Sequence, residues 1–155
     1  MNVALRPEAR EDDEFLRRLI TQTIAGELGA DQWPEPMRSQ LLGLQYLNRR
    51  MGPRSAFPQG ESFVMVADAH PAGWLFLADL DHEIHLVEIM VLPELRGKGV
   101  GSVAMRQVLA RAATAGKPVG LTVNVLNAGA IRLYESLGFE RTGGDEIQHR
   151  MEARP

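Results

Sequence analysis

Apolar and polar positions alternate from Asn2 to Arg6, and Pro7 closes what reads as a short first strand. From Glu8 the period lengthens. Phe15, Leu16, Leu19, Ile20 and Ile24 recur at three- and four-residue spacing, which predicts a helix with one buried face. Glu11, Asp12, Asp13 and Glu14 fall in its first turns, where the helix dipole favours acids, and Gly26 and Gly29 end it. A second helix opens near Pro34-Glu35-Pro36, since proline is tolerated in a first turn, and runs through Met37, Leu41, Leu44 and Leu47 to about Met51. Gly52 to Gly60, with Pro53 and Pro58, is read as a loop. Residues 62–67 and 72–78, on either side of Asp68-Ala-His-Pro71, predict a hairpin, and 83–91 predicts a longer strand. A glycine-rich loop, 93–101, leads into a helix from about Val100 to Ala115. Then come a strand over 119–125, a last helix over 127–137, and a terminal pair of strands starting at Gly138-Phe139 and running through Met151. Neither repeat nor linker interrupts the pattern, so residues 1–155 read as one α/β domain.

Composition narrows the class. The chain has 155 residues, 45 % apolar and 24 % charged, the proportions of an ordinary globular domain large enough to bury a core. A formal net charge of −3 supplies no basic surface to displace the counterions of nucleic acid. The basic pairs Arg17-Arg18 and Arg49-Arg50 both sit in helical patterns and read as solvated faces. With no cysteine there is no disulfide, no thiolate zinc site and no Cys nucleophile, which fits a reducing cytoplasm. The N-terminus reads as a strand and not as a signal peptide, and no run approaches the roughly 18 apolar residues of a membrane span. The four histidines lack metal-ligand spacing; His82 and His85 could share a strand edge, but no further ligands accompany them, so no metal is expected.

The most informative stretch is Val91-Leu-Pro-Glu-Leu-Arg96-Gly97-Lys98-Gly99-Val100-Gly101-Ser102, between a strand and a helix. The first amides of a helix have no intrahelical partner and point outward at the positive end of the dipole. Alternate glycines let the backbone curl so that those amides reach a phosphate with no Cβ in the way. Arg96 and Lys98 add positive charge in an acidic chain. Gly99-Val-Gly101-Ser-Val-Ala104 also fits the dinucleotide fingerprint G-x-G-x-x-A. That motif expects an acid about 20 residues on, at the end of the next strand. Leu121-Thr-Val-Asn-Val125 carries none, so the dinucleotide reading is set aside.

Val91-x-Pro93-Glu94-x-Arg96-Gly97-Lys98-Gly99-Val100-Gly101 resembles the acetyl-CoA signature of the GCN5-related N-acetyltransferases (GNAT superfamily). A second block follows in the expected order: Leu121-x-Val123-x-x-x-Asn127-x-x-Ala130-x-x-Leu133-Tyr134-Glu135-x-Leu137-Gly138-Phe139. The resemblance implies a mixed, mostly antiparallel sheet of six or seven strands, flanked by about four helices, whose parallel pair 83–91 and 119–125 splays apart. It implies acetyl-CoA as co-substrate. The pantetheine arm would lie along Ile89, Met90 and Val91, the pyrophosphate on the amides from Arg96 to Ser102, with Asn127 and Ala130 facing the cofactor. Family members often dimerise, so a homodimer is expected by analogy.

Acetyl transfer needs a neutral amine, a stabilised oxyanion and a proton for the leaving thiolate. Tyr134 is the candidate acid: it follows Asn127 by two helical turns, on one face with Ala130 between, and the resemblance gives its position this role. Packing in an amphipathic helix is the bland alternative. Glu88 lies within the apolar run 86–91, where burial would raise a carboxyl toward the pH of a working base. It is either a base, directly or through a water, or half of an ion pair with an arginine. His85, expected on the opposite strand face, is the substitute. A backbone amide near Met90 or Val91 is the expected oxyanion donor. Trp33 and Trp74 read as core or cleft wall, Gln45 and Tyr46 as acceptor contacts or helix packing, and Glu94 and Glu135 as solvated or capping. The acceptor is a small-molecule or peptide amine. The second block is similar to that of ribosomal-protein N-terminal acetyltransferases, but Thr122 stands where those usually carry glutamate. A non-catalytic acyl-CoA sensor on the same fold is the competing hypothesis; it could dispense with Tyr134 and a buried acid.

Overall fold

The computed structural model describes residues 1–155. Seven strands form one sheet: β1 (Val3–Pro7), β2 (Glu61–Ala67), β3 (His70–Asp79), β4 (Ile84–Val91), β5 (Val119–Asn124), β6 (Glu140–Gly144) and β7 (Gln148–Ala153), in the order β1-β2-β3-β4-β5-β7-β6. Every neighbouring pair is antiparallel except β4 and β5. Four helices flank it: α1 (Asp13–Leu28), α2 (Met37–Ala56), α3 (Val100–Ala115) and α4 (Ala128–Ser136). None is long and apolar enough to cross a membrane.

Two apolar clusters sit on opposite faces of the sheet. Leu75, Leu77, Ile84, Leu86 and Leu121 pack with Val100, Met105 and Val108 of α3 and Tyr134 of α4. Trp74, Phe76 and Met90 pack with Leu16, Leu19 and Ile20 of α1 and Tyr46 of α2. β3 is therefore buried on both faces, and its close contact with β4 leaves no room at Gly73, where a Cβ would run into the Met90 carbonyl oxygen. Gly73→Ala is expected to lower stability by about 1–3 kcal/mol, the usual cost of overpacking; chemical denaturation measures it.

The hairpin between β2 and β3 turns on Asp68 (φ 48°) and Ala69 (φ 70°), both left-handed, as a two-residue connection requires. Gly29 ends α1 in the left-handed region at φ 63°, while Gly26 lies inside the helix, one turn short of the true cap. Asp12, at the start of α1, is buried and held by both terminal nitrogens of Arg6 at 2.9 Å.

Three sequence expectations are corrected. α2 continues through Pro53 to Ala56, where a loop is predicted from Gly52. Pro53 sits in the last turn and is buried, so its missing N–H costs a bond only at the helix end. Arg49 and Arg50 are not a solvated face: both are partly buried in ion pairs that tie α2 to its neighbours. Arg17 and Arg18 remain exposed. Finally, β4 bulges at Val87, because Leu86 pairs with Leu77 while Glu88 pairs with Phe76. One inserted residue reverses the alternation of faces. His85 therefore shares the α1/α2 face with Glu88, where it contacts the Phe57 ring, and does not point to the opposite face.

Candidate active site

The parallel pair β4–β5 is zipped only at its beginning, Ile84 against Val119 and His85 against Gly120. Beyond that, β5 pairs along its other edge with β7 over its whole length, and β4 pairs with β3. The edge of β4 from Leu86 to Val91 that faces β5 has no strand partner. Alternation decides which backbone groups it exposes. Leu92 donates to Ala72 at 2.8 Å, so Leu92, Met90 and Glu88 turn their backbone toward β3. Ile89 and Val91 turn theirs to the gap. The Ile89 amide meets only its neighbour's carboxylate, Glu88 Oε1, at 3.2 Å. Met90, expected among the cofactor contacts, offers neither backbone nor side chain: the latter is buried against α1.

At the open end of β4 a short turn, Pro93–Leu95, leads into the glycine loop and α3. Gly97 (φ 74°) and Gly99 (φ 87°) are left-handed, and a Cβ at either would meet nothing within 4 Å. The glycines are thus required by backbone conformation, not by crowding within the chain. The amides of Gly97 through Ser102 donate to no backbone carbonyl, and the ladder of α3 starts only with Val103 on Gly99, at 3.0 Å. Val100 is buried and anchors this first turn beneath the amides. Six unclaimed N–H groups therefore gather at the positive end of a 16-residue helix, beside the parted strands.

The two cations of the loop divide their work. Arg96 folds back, its Nε donating to the Val91 carbonyl at 3.1 Å and a terminal nitrogen to Thr23 Oγ1 at 3.4 Å. It fastens the loop to β4 and α1. Lys98 is exposed and makes no ion pair, so it is the loop's available charge. Asn127 caps α4, its Oδ1 accepting from the Ala130 amide at 3.2 Å, which gives the side chain a structural duty in place of a free one.

Tyr134 is buried in the α3/α4 cluster with its ring 5.5 Å from that of Phe139. Burial pushes its phenol up to about 12, and the charge of Glu88 adds to the rise. The hydroxyl has no hydrogen-bond partner in the chain, yet no buried polar atom is left orphaned, so this oxygen is not fully sealed from solvent. Glu88 lies across the gap on the α2 side. Burial holds its carboxyl above the ordinary glutamate range, more than Arg49 and the Ile89 amide lower it. Arg49 Nε donates to Glu88 at 2.9 Å while Nη1 donates to Glu27 at 3.1 Å, so one guanidinium joins α1, α2 and β4 at the site. Of the alternatives for Glu88, the ion pair with an arginine is present, and the raised carboxyl persists beside it.

Arg49 and Glu27 are what sequence reading missed. They lie 39 and 22 residues from their partners, and no local pattern announces a contact over such distances. His85 is held by Glu83, Nδ1 to Oε2 at 2.9 Å, at the zipped end of the strands. Trp74 is core, its Nε1 donating to Ser62 at 2.8 Å, and Trp33 is half-buried. Tyr46 is buried beneath Arg17, 4.7 Å from its ring centre, while Gln45 is exposed. Glu94 and Glu135 are exposed.

Known proteins share these features. A stretch of 59 residues is 44 % identical to an uncharacterized N-acetyltransferase of Methanocaldococcus jannaschii, covering 37 % of this chain and 25 % of that protein. Another, of 93 residues, is 30 % identical to the peptidyl-lysine N-acetyltransferase YjaB of Salmonella typhimurium, covering 58 % and 57 %. The chain thus spans between a quarter and little more than half of the curated relatives it matches. Among solved structures, the PaiA N-acetyltransferase of Thermoplasma acidophilum in complex with coenzyme A superposes over all of both chains with a TM-score of 0.75 at 18 % identity, a likeness of fold. The model of the acetyltransferase (GNAT) family matches residues 22–139, taking in the parted strands, the glycine loop and Tyr134, and the chain belongs to that family.

Proposed function

We propose that this chain is an acetyl-CoA-dependent N-acetyltransferase in which a primary amine, of a small molecule or a peptide, attacks the thioester directly. The observation that carries the reading is the run of six unclaimed amides, Gly97 to Ser102, at the start of α3 next to an unpaired edge of β4. The amides suit a diphosphate. The Ile89 and Val91 backbone suits an extended amide chain lying as an added strand. Asn127 and Ala130 at the start of α4 complete the cofactor wall in this reading.

In the reaction, the amine gives up its proton to Glu88, directly or through a water. The Val91 amide, on the open edge, donates to the oxygen that becomes negative as nitrogen bonds to the carbonyl carbon. When the carbon–sulfur bond breaks, Tyr134 supplies a proton to the thiolate. A phenol near 12 is a weaker acid than an ordinary thiol, so proton delivery depends on the hydroxyl being fixed beside the sulfur. The lack of cysteine and the net charge of −3 support a cytoplasmic enzyme acting without nucleic acid. The name of the Salmonella relative supports a peptidyl amine among the acceptors.

Coenzyme A release across a panel of amines tests the reading: turnover on at least one is expected. Tight acetyl-CoA binding with no turnover on any would leave only a binding module. The base predicts a pH effect. Glu88 works deprotonated, so kcat/KM should rise with pH through an apparent pKa above that of an ordinary glutamate, and Glu88→Gln should abolish this limb and lower kcat about 100-fold. Arg49→Met removes a cation that lowers this pKa, so its limb should move to still higher pH.

A further inference from the structure

α2 is built inside out. Its inner side meets the body of the protein through Leu42, Tyr46, Arg49, Arg50 and Pro53, two of which are charged. On the outer side Met37, Leu41, Leu44, Leu47 and Met51 form a row in which every member is between 38 % and 60 % exposed. Gln40 and Asn48, also exposed, are the polar members of this face, and the charge beside it is Arg54, at its C-terminal end. A solvent-facing helix side ordinarily carries the charges, and an apolar strip rimmed by polar groups marks a contact surface.

The row is also symmetric. Counting outward from Leu44, Leu41 is matched by Leu47, Gln40 by Asn48, Arg38 by Arg50 and Met37 by Met51. A twofold axis makes a surface meet itself in reverse, so residue i of one copy faces its mirror position on the other. A palindromic row is what an antiparallel pairing of two identical helices needs. An unrelated partner would gain nothing from it. We propose that α2 is the homodimer interface, packed antiparallel against α2 of a second copy with Leu44 on the twofold axis.

Charge agrees with a like-on-like contact. The symmetry-matched arginines flank the row and do not lie on it, and each is already neutralised within its own chain: Arg38 by Glu35 at 3.0 Å, Arg50 by Glu8 at 2.7 Å and Asp13 at 3.2 Å. Arg54, which donates to the Pro58 and Gly60 carbonyls and has no acidic partner, mirrors onto Pro34, so it does not face its own copy across the axis. At its C-terminal end the row opens on a groove of about 600 Å³ walled by Leu47, Met51 and Arg54 of α2 with Glu14 and Arg17 of α1. The antiparallel pairing brings Met37 of the second copy to its mouth. Each partner in a standard interface gives up about 800 Å². A strip about 21 Å long and 10–12 Å across supplies the apolar centre of one, and the α1 edge supplies the rim. The pairing leaves the cleft open, since Arg49 faces inward to Glu88.

Sedimentation velocity on the full chain, from about 1 to 100 µM, reads the outcome. The wild type should be a dimer. Leu44→Glu sets two carboxylates against each other on the axis and should weaken association at least about 100-fold, with coenzyme A binding and far-UV dichroism unchanged. The absence of cysteine allows a second arm. Leu44→Cys should oxidise to a covalent dimer, because only a residue on the axis meets its own copy. Met37→Cys alone should not, and Met37→Cys combined with Met51→Cys should. A wild type that stays monomeric at 100 µM overturns the proposal and leaves the face to another protein or a lipid surface. A Leu44→Glu protein that remains dimeric, or a Met37→Cys protein that cross-links as readily as Leu44→Cys, overturns it as well.

Discussion

Gly99→Asp is expected to weaken acetyl-CoA binding at least about 100-fold, some 2.7 kcal/mol, while leaving the fold in place. Two effects act together. Gly99 has φ 87°, a conformation that side chains adopt reluctantly, although aspartate tolerates it better than most. The larger effect is charge. A Cβ at this position meets nothing within 4 Å, so the carboxylate would stand within the run of unclaimed amides from Gly97 to Ser102. It would accept their hydrogen bonds and repel a diphosphate at the same point. Gly99→Ala carries the backbone cost without the charge and should lose far less affinity. Calorimetric titration of the two variants separates the contributions; equal losses would mean that the loop matters only as backbone.

Tyr134→Phe is expected to lower kcat by about 10²–10⁴-fold with acetyl-CoA affinity unchanged. The ring keeps its packing against Phe139, and the hydroxyl removed has no partner in the chain, so thermal stability should hold. The sign of the pH effect follows from the raised phenol. An acid whose pKa is pushed up to about 12 stays protonated through the physiological range, so Tyr134 should impose no loss of rate below about pH 10. A wild-type rate that falls on the alkaline side near pH 8 or 9, and does so equally in Tyr134→Phe, would assign the fall to another group. An unchanged kcat in Tyr134→Phe would remove the tyrosine from the chemistry.

Local features were legible from the chain because local forces set them. α3 starts and stops where Gly99 and Gly116 take left-handed conformations, and its predicted bounds, Val100 and Ala115, are the observed ones. The hairpin turn at Asp68-Ala69 and the place of the glycine-rich loop before α3 were legible for the same reason. What the sequence did not disclose depends on pairing between distant segments. The bulge at Val87 exists because β4 must keep register with β3 on both sides of it, and it moved His85 to the face of Glu88. The pairing of Arg49 with Glu88 and Glu27 joins three elements that only the folded sheet brings together. Periodicity announced α2 through Met37, Leu41, Leu44 and Leu47, yet these residues face outward, because a period reports that a helix has an apolar face and not what that face meets.

The convergence of free amides on a diphosphate beside parted strands is tested most directly by a ¹H–¹⁵N correlation spectrum of the full chain titrated with coenzyme A. The amide signals of Gly97, Lys98, Gly99, Val100, Gly101 and Ser102 should move together and furthest, downfield as they gain an anionic acceptor, with Val91 following as the gap beside β4 fills. Saturating coenzyme A that leaves these signals in place while shifting others would contradict it.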